Sequence, residues 1–454
     1  EIKFSECVII DIAHPAQYKI PKSEYLLDSP YYLTWTYTDS ASQAEFPSIV
    51  QTNIKLEYQA IKSDLKFVHF VAPAADRMSN LCHIRKEVPY GRILFHYIGF
   101  GLPTIENGTI SVCEGRSLKA YSVGKIFEDI QTPSWFIFDS NNSFIPAIMQ
   151  RCQKLQASGT KNPRQNWCDW YCLCATSEGE SLPQDPKLPR DFLTTCLLTP
   201  VKLSILCHIL KYFRVSLDDP LSYLSNFEFD ADLYRILNCV TDAIISDFVK
   251  PKFFFLIFRH DKLVGTFFRH FILAQYLLYD FDVHPISNPS LPDMTQHQLW
   301  QQWTATIDIW ITSNLTPAPS FCHNYFGQVS QIFSIAVKSS SSISRSTLVT
   351  MCHAALDDPL NFIPIAEYAS KSADNRQKLT TTLLFDKIFR TFIATSIGPQ
   401  AFDSLCYIII SLIQQDYSLV NEIKKDMNLF SMFNFIFDTS FREITRAVVT
   451  SILA

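Results

Sequence analysis

The sequence is poor in glycine and in charged residues, and it contains no long apolar run. Only 11 of its 454 residues are glycine, and neither phosphate-binding pattern, G-x-G-x-x-G or G-x-x-x-x-G-K-[ST], occurs. The longest apolar stretch of helical character, 263–279, is interrupted by Arg269 and His270, so we expect no segment to span a membrane. The scarcity of glycine argues against phosphate loops, and we predict no cofactor.

Charge gives no indication of a nucleic-acid partner. The formal net charge is −5, and no run of lysine and arginine could neutralise a phosphate backbone. Hydrophobic residues make up 47% of the chain and charged residues only 18%, which argues for large buried cores and against disorder. The length is sufficient for two or three domains, and we expect the partners to be proteins.

The cysteines are predicted to be reduced thiols. The sequence has 13 of them and begins without an apolar secretory segment, which favours a cytosolic or nuclear compartment. Cys168, Cys172 and Cys174 lie close together, but their C-x-x-x-C-x-C spacing is not that of a zinc knuckle and no second cluster follows. We therefore predict a buried strand with free thiols and no metal site.

The stretch 92–143 is the centre of the predicted fold. Residues 93–97 and 135–138 are short runs of aromatic and β-branched residues, which is typical of strands buried on both faces. A helix is predicted between them from Val123, Ile126, Phe127 and Ile130, which fall at helical spacing. The two strands are therefore expected to be parallel neighbours with a right-handed crossover. Strands alternate with helices from the N-terminus to Phe138, which predicts an α/β fold.

Two loops follow these strands, at 98–102 and 139–143. The carboxyl ends of parallel strands lie at one edge of the sheet, where the crossovers leave a crevice. Any site of this domain is therefore expected in that crevice.

Several motifs resemble a known family. The first strand and its loop read HYxGxGxP, Asn107-Gly108 follows, and the second strand ends in Asp and small polar residues. This pattern looks like the N-terminal conserved domain of Raptor, the scaffold subunit of TOR complex one. Residues 188–200, LPRDFLTTCLLTP, resemble the family's LPADLFTSCLTTP. The resemblance implies a caspase-like domain with a mainly parallel sheet flanked by helices.

The resemblance also bears on catalysis. The family's two loops read Gly-His-Gly and Asp-Cys-Ser, which places a His and a Cys where a caspase carries its dyad. Phe100 and Ser140 occupy these positions here. Phe100 cannot transfer a proton, and Ser140 is inert without a base. His96, the nearest histidine, is predicted to be a packed core residue. We therefore predict a degenerate dyad and no enzyme, while a hydrolase that uses Ser140 remains the alternative.

The second half of the chain is predicted to be helical. Apolar residues at helical spacing recur from Leu233 onwards, and residues 239–243, 258–264 and 285–303 continue the resemblance into Raptor's armadillo-like region. We therefore predict an all-α armadillo/HEAT-like solenoid. The predicted domains are a caspase-like domain at 1–214, a linker at 215–230 and the solenoid at 231–454.

The resemblance implies a non-catalytic adaptor of TOR complex one. Such a protein would bind the TOR kinase, present substrates that carry short peptide motifs, and contact small GTPases in the cytoplasm or at the lysosomal or vacuolar surface. Because the sequence ends in a predicted helix at Ala454, without the family's C-terminal β-propeller, the resemblance implies either a fragment or a reduced family member. A solenoid scaffold unrelated to TOR is the third hypothesis.

Overall fold

The computed structural model describes residues 4–11, 46–71, 73–99, 102, 107–114, 117–131, 133–141, 143–159, 170–185, 187–212, 231–259, 261–313, 321–339, 341–380, 382 and 399–415. The chain divides into two compact units, Glu1–Phe229 with His260–Gln296, and Asp230–Arg259 with His297–Ala454. Residues 260–296, which the sequence analysis assigned to the solenoid, therefore group with the first unit. The predicted linker 215–230 lies outside the described residues, and the domain boundaries beside it stay a prediction.

Eight strands occur among the described residues. They are β1 (Phe4–Asp11), β2 (Lys66–Val71), β3 (Arg92–Ile98), β4 (Thr109–Glu114), β5 (Ser117–Ser122), β6 (Ser134–Asp139), β7 (Trp170–Cys174) and β8 (Ile286–Asn288). One sheet has the order β2-β1-β3-β6-β7-β8, and β4 pairs with β5. The pairs from β2 to β7 are parallel, and β8 joins β7 antiparallel. The sheet confirms the predicted α/β class.

The helices of both units follow in chain order. They are α1 (Phe46–Ile61), α2 (Leu81–Glu87), α3 (Val123–Ile130), α4 (Ile145–Gly159), α5 (Phe192–Leu198), α6 (Pro200–Tyr212), α7 (Ala231–Phe248), α8 (Pro251–Arg259), α9 (Lys262–Tyr279), α10 (Leu299–Ser313), α11 (Phe321–Lys338), α12 (Arg345–Asp357), α13 (Phe362–Lys371), α14 (Ala373–Thr380) and α15 (Pro399–Gln415). Short 3-10 helices precede α2 and α13, at Arg77–Asn80 and Pro359–Asn361. None of these helices is long and apolar enough to cross a membrane.

The central pair of strands has the predicted arrangement. β3 and β6 run parallel, and their register extends from Ile93 opposite Ser134 to Ile98 opposite Asp139. The predicted connecting helix is α3, whose four apolar residues are at most 1% exposed. The β4–β5 hairpin, which was not predicted, precedes α3 between the two strands. In β4 the residues from Ile110 to Cys113 are all buried, so helical and strand patterns were not separable there.

The two faces of the sheet have different neighbours. Ile93, Phe95 and Tyr97 belong to a core cluster that includes apolar residues of α2, α3 and α4. Successive side chains of a strand point to opposite faces. His96 accordingly lies on the other face, where it contacts Tyr58 of α1 and Thr194 of α5. This polar contact on the second face leads to the candidate site.

A buried arginine forms hydrogen bonds with the chain at the amino-terminal ends of β3 and β6. Arg85 of α2 is 6% exposed, and its guanidinium donates to the side chain of Ser134. It also donates to four main-chain carbonyl groups, those of Ile130, Val88, Gly91 and Pro133. Carbonyl oxygens thus replace water around this charge, and the arginine fixes the chain segments that lead into both strands.

The described part of the second unit consists of helices. α7 packs against α12 and α10, and α13 packs against α15. Two polar pairs join α7 to α12: Arg235 with Asp357, and Asp242 with the Nε2 atom of His353 at 2.9 Å. The helical unit confirms the predicted all-α class of the second half. Residues 383–398 and 416–454 of the predicted solenoid lie outside the described residues.

Candidate functional site

The two predicted loops begin side by side at the carboxyl ends of β3 and β6. The Gly99 amide donates to the Asp139 carbonyl at 2.9 Å. A Cβ atom at Gly99 would lie 2.9 Å from the Tyr97 ring and 3.3 Å from the Asp139 carbonyl oxygen, so this close approach requires glycine. Phe100 lies outside the described residues. Ser140 directly follows β6 and is partly exposed.

The second loop is held by the chain that follows β7. The Thr176 hydroxyl donates to the Ser140 carbonyl at 3.1 Å. The buried Asn141 side chain accepts from the Leu182 amide at 2.8 Å. These two bonds hold the chain at the Ser140 carbonyl and at Asn141, directly after the Ser140 side chain.

The last residue of β6 carries a buried carboxylate. Asp139 is 0% exposed, and its Oδ2 atom accepts from the Thr194 amide at 2.7 Å and from the Thr194 hydroxyl at 2.6 Å. Burial raises the pKa of Asp139 to about 6, although its hydrogen bonds with Thr194 oppose that rise. Among the described residues, Oδ1 has no hydrogen-bond partner. Hydrogen bonds therefore stabilise the negative charge of the carboxylate at Oδ2 but not at Oδ1.

A chain of hydrogen bonds continues from this carboxylate into the core. The Thr194 hydroxyl lies 3.0 Å from Nε2 of His96, and Nδ1 of His96 lies 2.6 Å from the Tyr58 hydroxyl. With Asp139 ionised, Thr194 donates to Asp139, so Nε2 donates to Thr194 and Nδ1 accepts from Tyr58. Burial lowers the pKa of His96 to about 3, which keeps the ring neutral. We call the residues Tyr58, His96, Thr194 and Asp139 the buried relay.

The buried relay joins α1 and α5 to the sheet, and its imidazole lies away from Ser140. His96 is 0% exposed, which confirms the prediction of a core residue. Its register partner in β6 is Ile137, three residues before Ser140, a separation of about 10 Å along the strand. Both ring nitrogens of His96 are also hydrogen-bonded already. The imidazole is therefore badly placed to activate the Ser140 hydroxyl.

Sequence reasoning missed two members of the relay. Thr194 lies in the LTTC part of the segment 188–200, which was used only for its resemblance. Tyr58 was not singled out as a site residue. Its hydroxyl was a usable signal, because a buried tyrosine usually needs a hydrogen-bond partner.

The cysteine-rich strand has the predicted form. Cys172 and Cys174 are at most 1% exposed in β7, and their sulfur atoms lie 3.3 Å apart. Cys168 lies outside the described residues. Within the part of the chain that the structure describes, no three His, Cys, Asp or Glu side chains form a group that could hold a metal ion.

Comparison with known proteins gives the same family that the motifs indicated. Residues 3–145 match the family model described as the Raptor N-terminal CASPase like domain. The chain is 29% identical over 269 residues to "Regulatory-associated protein of TOR 1" of Arabidopsis thaliana, a match covering 57% of this chain and 20% of that protein. It is 25% identical over 300 residues to "Target of rapamycin complex 1 subunit mip1" of Schizosaccharomyces pombe, covering 61% of this chain and 23% of that protein.

The fold also has a known counterpart. The crystal structure of Chaetomium thermophilum Raptor is similar with a TM-score of 0.78 at 19% sequence identity, over 100% of this chain and 43% of that chain. The matches thus cover about a fifth of the length of the two relatives, 20% and 23%. The matching domain model, the relatives and the shared fold confirm the predicted resemblance to the Raptor family, and residues 3–145 match that family's N-terminal caspase-like domain.

Proposed function

We propose that the chain is a non-catalytic scaffold of TOR complex one that binds the TOR kinase and recruits substrates to it. The names of its relatives, a regulatory-associated protein of TOR and a subunit of target of rapamycin complex 1, support membership of that complex. Substrate recruitment through short peptide motifs and contacts with small GTPases are part of the proposal. No residue of this chain is assigned to either.

The buried relay is the observation that carries the non-catalytic part of the proposal. The polar side chains behind the crevice bind one another, so they serve the packing of α1 and α5 on the sheet. Catalysis by Ser140 would need a base within hydrogen-bond distance and a group that orients that base. The nearest imidazole along β3, that of His96, is bound on both of its nitrogens to the relay.

Serine- and cysteine-reactive activity probes test this part. We expect the chain to show no labelling above that of the Ser140→Ala variant, because an unactivated serine hydroxyl does not react with such probes. Labelling is measured by mass spectrometry of the modified peptide. A probe adduct on the peptide that contains Ser140, lost in Ser140→Ala, would favour the hydrolase alternative over the scaffold.

The second unit offers a surface for a protein partner. Ile332 and Ile335 lie three residues apart on α11, and each is 67% exposed. Exposed apolar groups at helical spacing are a common feature of protein interaction sites. We therefore include this pair in the proposed contact with the kinase.

A pull-down with the helical repeats of the TOR kinase tests the scaffold role. We expect the chain to be retained, and the double substitution Ile332→Asp with Ile335→Asp to reduce retention about tenfold, because it puts two charges at an apolar contact. The matched control is Gln328→Asp with Gln331→Asp, which adds the same charges at exposed positions of α11. If the unaltered chain is not retained, the scaffold unrelated to TOR is favoured. Equal retention of both variants would exclude α11 from the contact.

A further inference from the structure

One segment of the second unit combines aromatic and basic residues without an acidic residue. Residues 248–260 contain five phenylalanines, two lysines and one arginine, and Asp247 and Asp261 flank the segment. The segment includes the end of α7 and all of α8, a nine-residue helix. A helix of this length cannot span a bilayer, but helices of this composition lie in the interface of a membrane.

Hydrogen bonds from Arg345 of α12 hold the junction between α7 and α8. Arg345 of α12 donates through Nη1 to the carbonyl groups of Ser246 and Val249, at 2.9 and 2.8 Å, and thereby caps the end of α7. The guanidinium carbon also lies 5.0 Å from the centre of the Phe254 ring, which is 0% exposed. The backbone of the junction is therefore fixed, and side chains on its outer side need little ordering before they bind a partner.

Two aromatic rings and a lysine lie on that outer side. Phe248 is 42% exposed and Phe253 is 57% exposed. Lys250 between them is also exposed. Asp247, the nearest acidic residue, accepts from the Ser346 amide at 3.1 Å and lies 3.3 Å from Nε2 of His297. Asp247 is therefore hydrogen-bonded to groups of its own unit, and the other exposed groups named at the junction are two phenyl rings and one lysine.

We propose that the aromatic corner, defined by Phe248, Lys250 and Phe253, is a contact site for the surface of an anionic phospholipid membrane. The phenyl rings would enter the headgroup region, and the lysine would lie among anionic headgroups. An apolar protein pocket for the two phenyl rings would leave the charge of Lys250 unmatched, whereas an anionic bilayer matches both features. A single corner of this size gives a reversible contact, because stable anchoring needs a second signal. The contact is independent of kinase binding.

Sedimentation of the full chain with vesicles tests the proposal. We expect binding to phosphatidylcholine vesicles that contain phosphatidylserine to be about tenfold stronger than binding to pure phosphatidylcholine vesicles, and to weaken at high salt. The double substitution Phe248→Ser with Phe253→Ser should lower the bound fraction about tenfold, because it removes the apolar groups that enter the interface. Lys250→Glu, a separate variant at an exposed position, should lower it as well.

Matched controls distinguish binding through the aromatic corner from a general effect of removing exposed apolar side chains. The substitution Ile332→Ser with Ile335→Ser removes a more exposed apolar pair of the same unit and should leave vesicle binding unchanged. Circular dichroism checks that each variant is folded. The proposal is overturned if the unaltered chain does not sediment with anionic vesicles, if it binds neutral vesicles equally well, or if both corner variants, when folded, bind as the unaltered chain does. Kinase retention by the corner variants is measured in parallel, so that a failure here is distinct from a failure of the scaffold proposal.

Discussion

Replacing Arg85 by methionine should lower the free energy of unfolding by about 4 kcal/mol, the largest effect that we expect of any single substitution. Methionine keeps much of the side-chain volume but donates no hydrogen bond. The main-chain carbonyls that now bind the guanidinium would lose their donors in a largely buried position. The measurement is equilibrium unfolding in urea, followed by circular dichroism.

Arg77→Met is the matched control. Arg77 lies in the 3-10 helix before α2 and is exposed, so its replacement should change the free energy of unfolding by less than about 0.5 kcal/mol. If Arg85→Met unfolds at the same urea concentration as Arg77→Met, the five hydrogen bonds of Arg85 do not stabilise the ends of β3 and β6.

The second large effect concerns Asp139 and pH. Burial raises the pKa of this carboxyl from 3.8 to about 6, so the folded protein holds this proton more tightly than the unfolded chain does. Stability from this group is therefore complete below pH 3.8 and is lost as the pH rises through 6. The shift of two pKa units corresponds to about 3 kcal/mol. The Thr194 amide and hydroxyl, the Leu193 amide and the Cys196 thiol are the polar groups that face the carboxyl.

The Asp139→Asn variant measures this effect. Its free energy of unfolding, relative to that of the unaltered protein, should increase by about 2 kcal/mol between pH 4 and pH 7, because the amide does not ionise. Both proteins contain all the other titratable groups, so the contributions of those groups to the pH dependence cancel in the difference. Glu178→Gln, which makes the same carboxylate-to-amide change at an exposed position, is the matched control. A flat difference for Asp139→Asn would show that the buried carboxyl binds its proton equally in both states.

Local patterns were sufficient to predict the central part of the fold. Residues 93–97 and 135–138 are short runs of aromatic and β-branched residues, interrupted only by His96, as is typical of strands buried on both faces, and Val123 to Ile130 show the period of a helix. The prediction that Gly99 and Asp139 lie at the same edge of the sheet needed only the parallel arrangement of the two strands. The β4–β5 hairpin did not follow, because its buried strand has no clean alternation.

The interactions that fix the candidate site join residues that are distant in sequence. Thr194 lies 98 residues from His96, and Arg85 lies 45 residues from Ile130. No periodicity connects such positions, and a buried arginine looks like a surface arginine in the sequence. The same limit applies to α9, whose apolar pattern predicts a helix but does not say with which unit it packs.

The order of synthesis has a consequence for β8. The strand pairs with β7, yet α7 and α8 of the second unit are translated between them. At common elongation rates, β7 leaves the ribosome roughly 5 to 20 s before β8 does. During that interval the nascent sheet presents the hydrogen-bonding edge of β7 without its final neighbour, which is a template for pairing with other chains. Newborn molecules should therefore depend on chaperones most strongly just before Ile286 emerges.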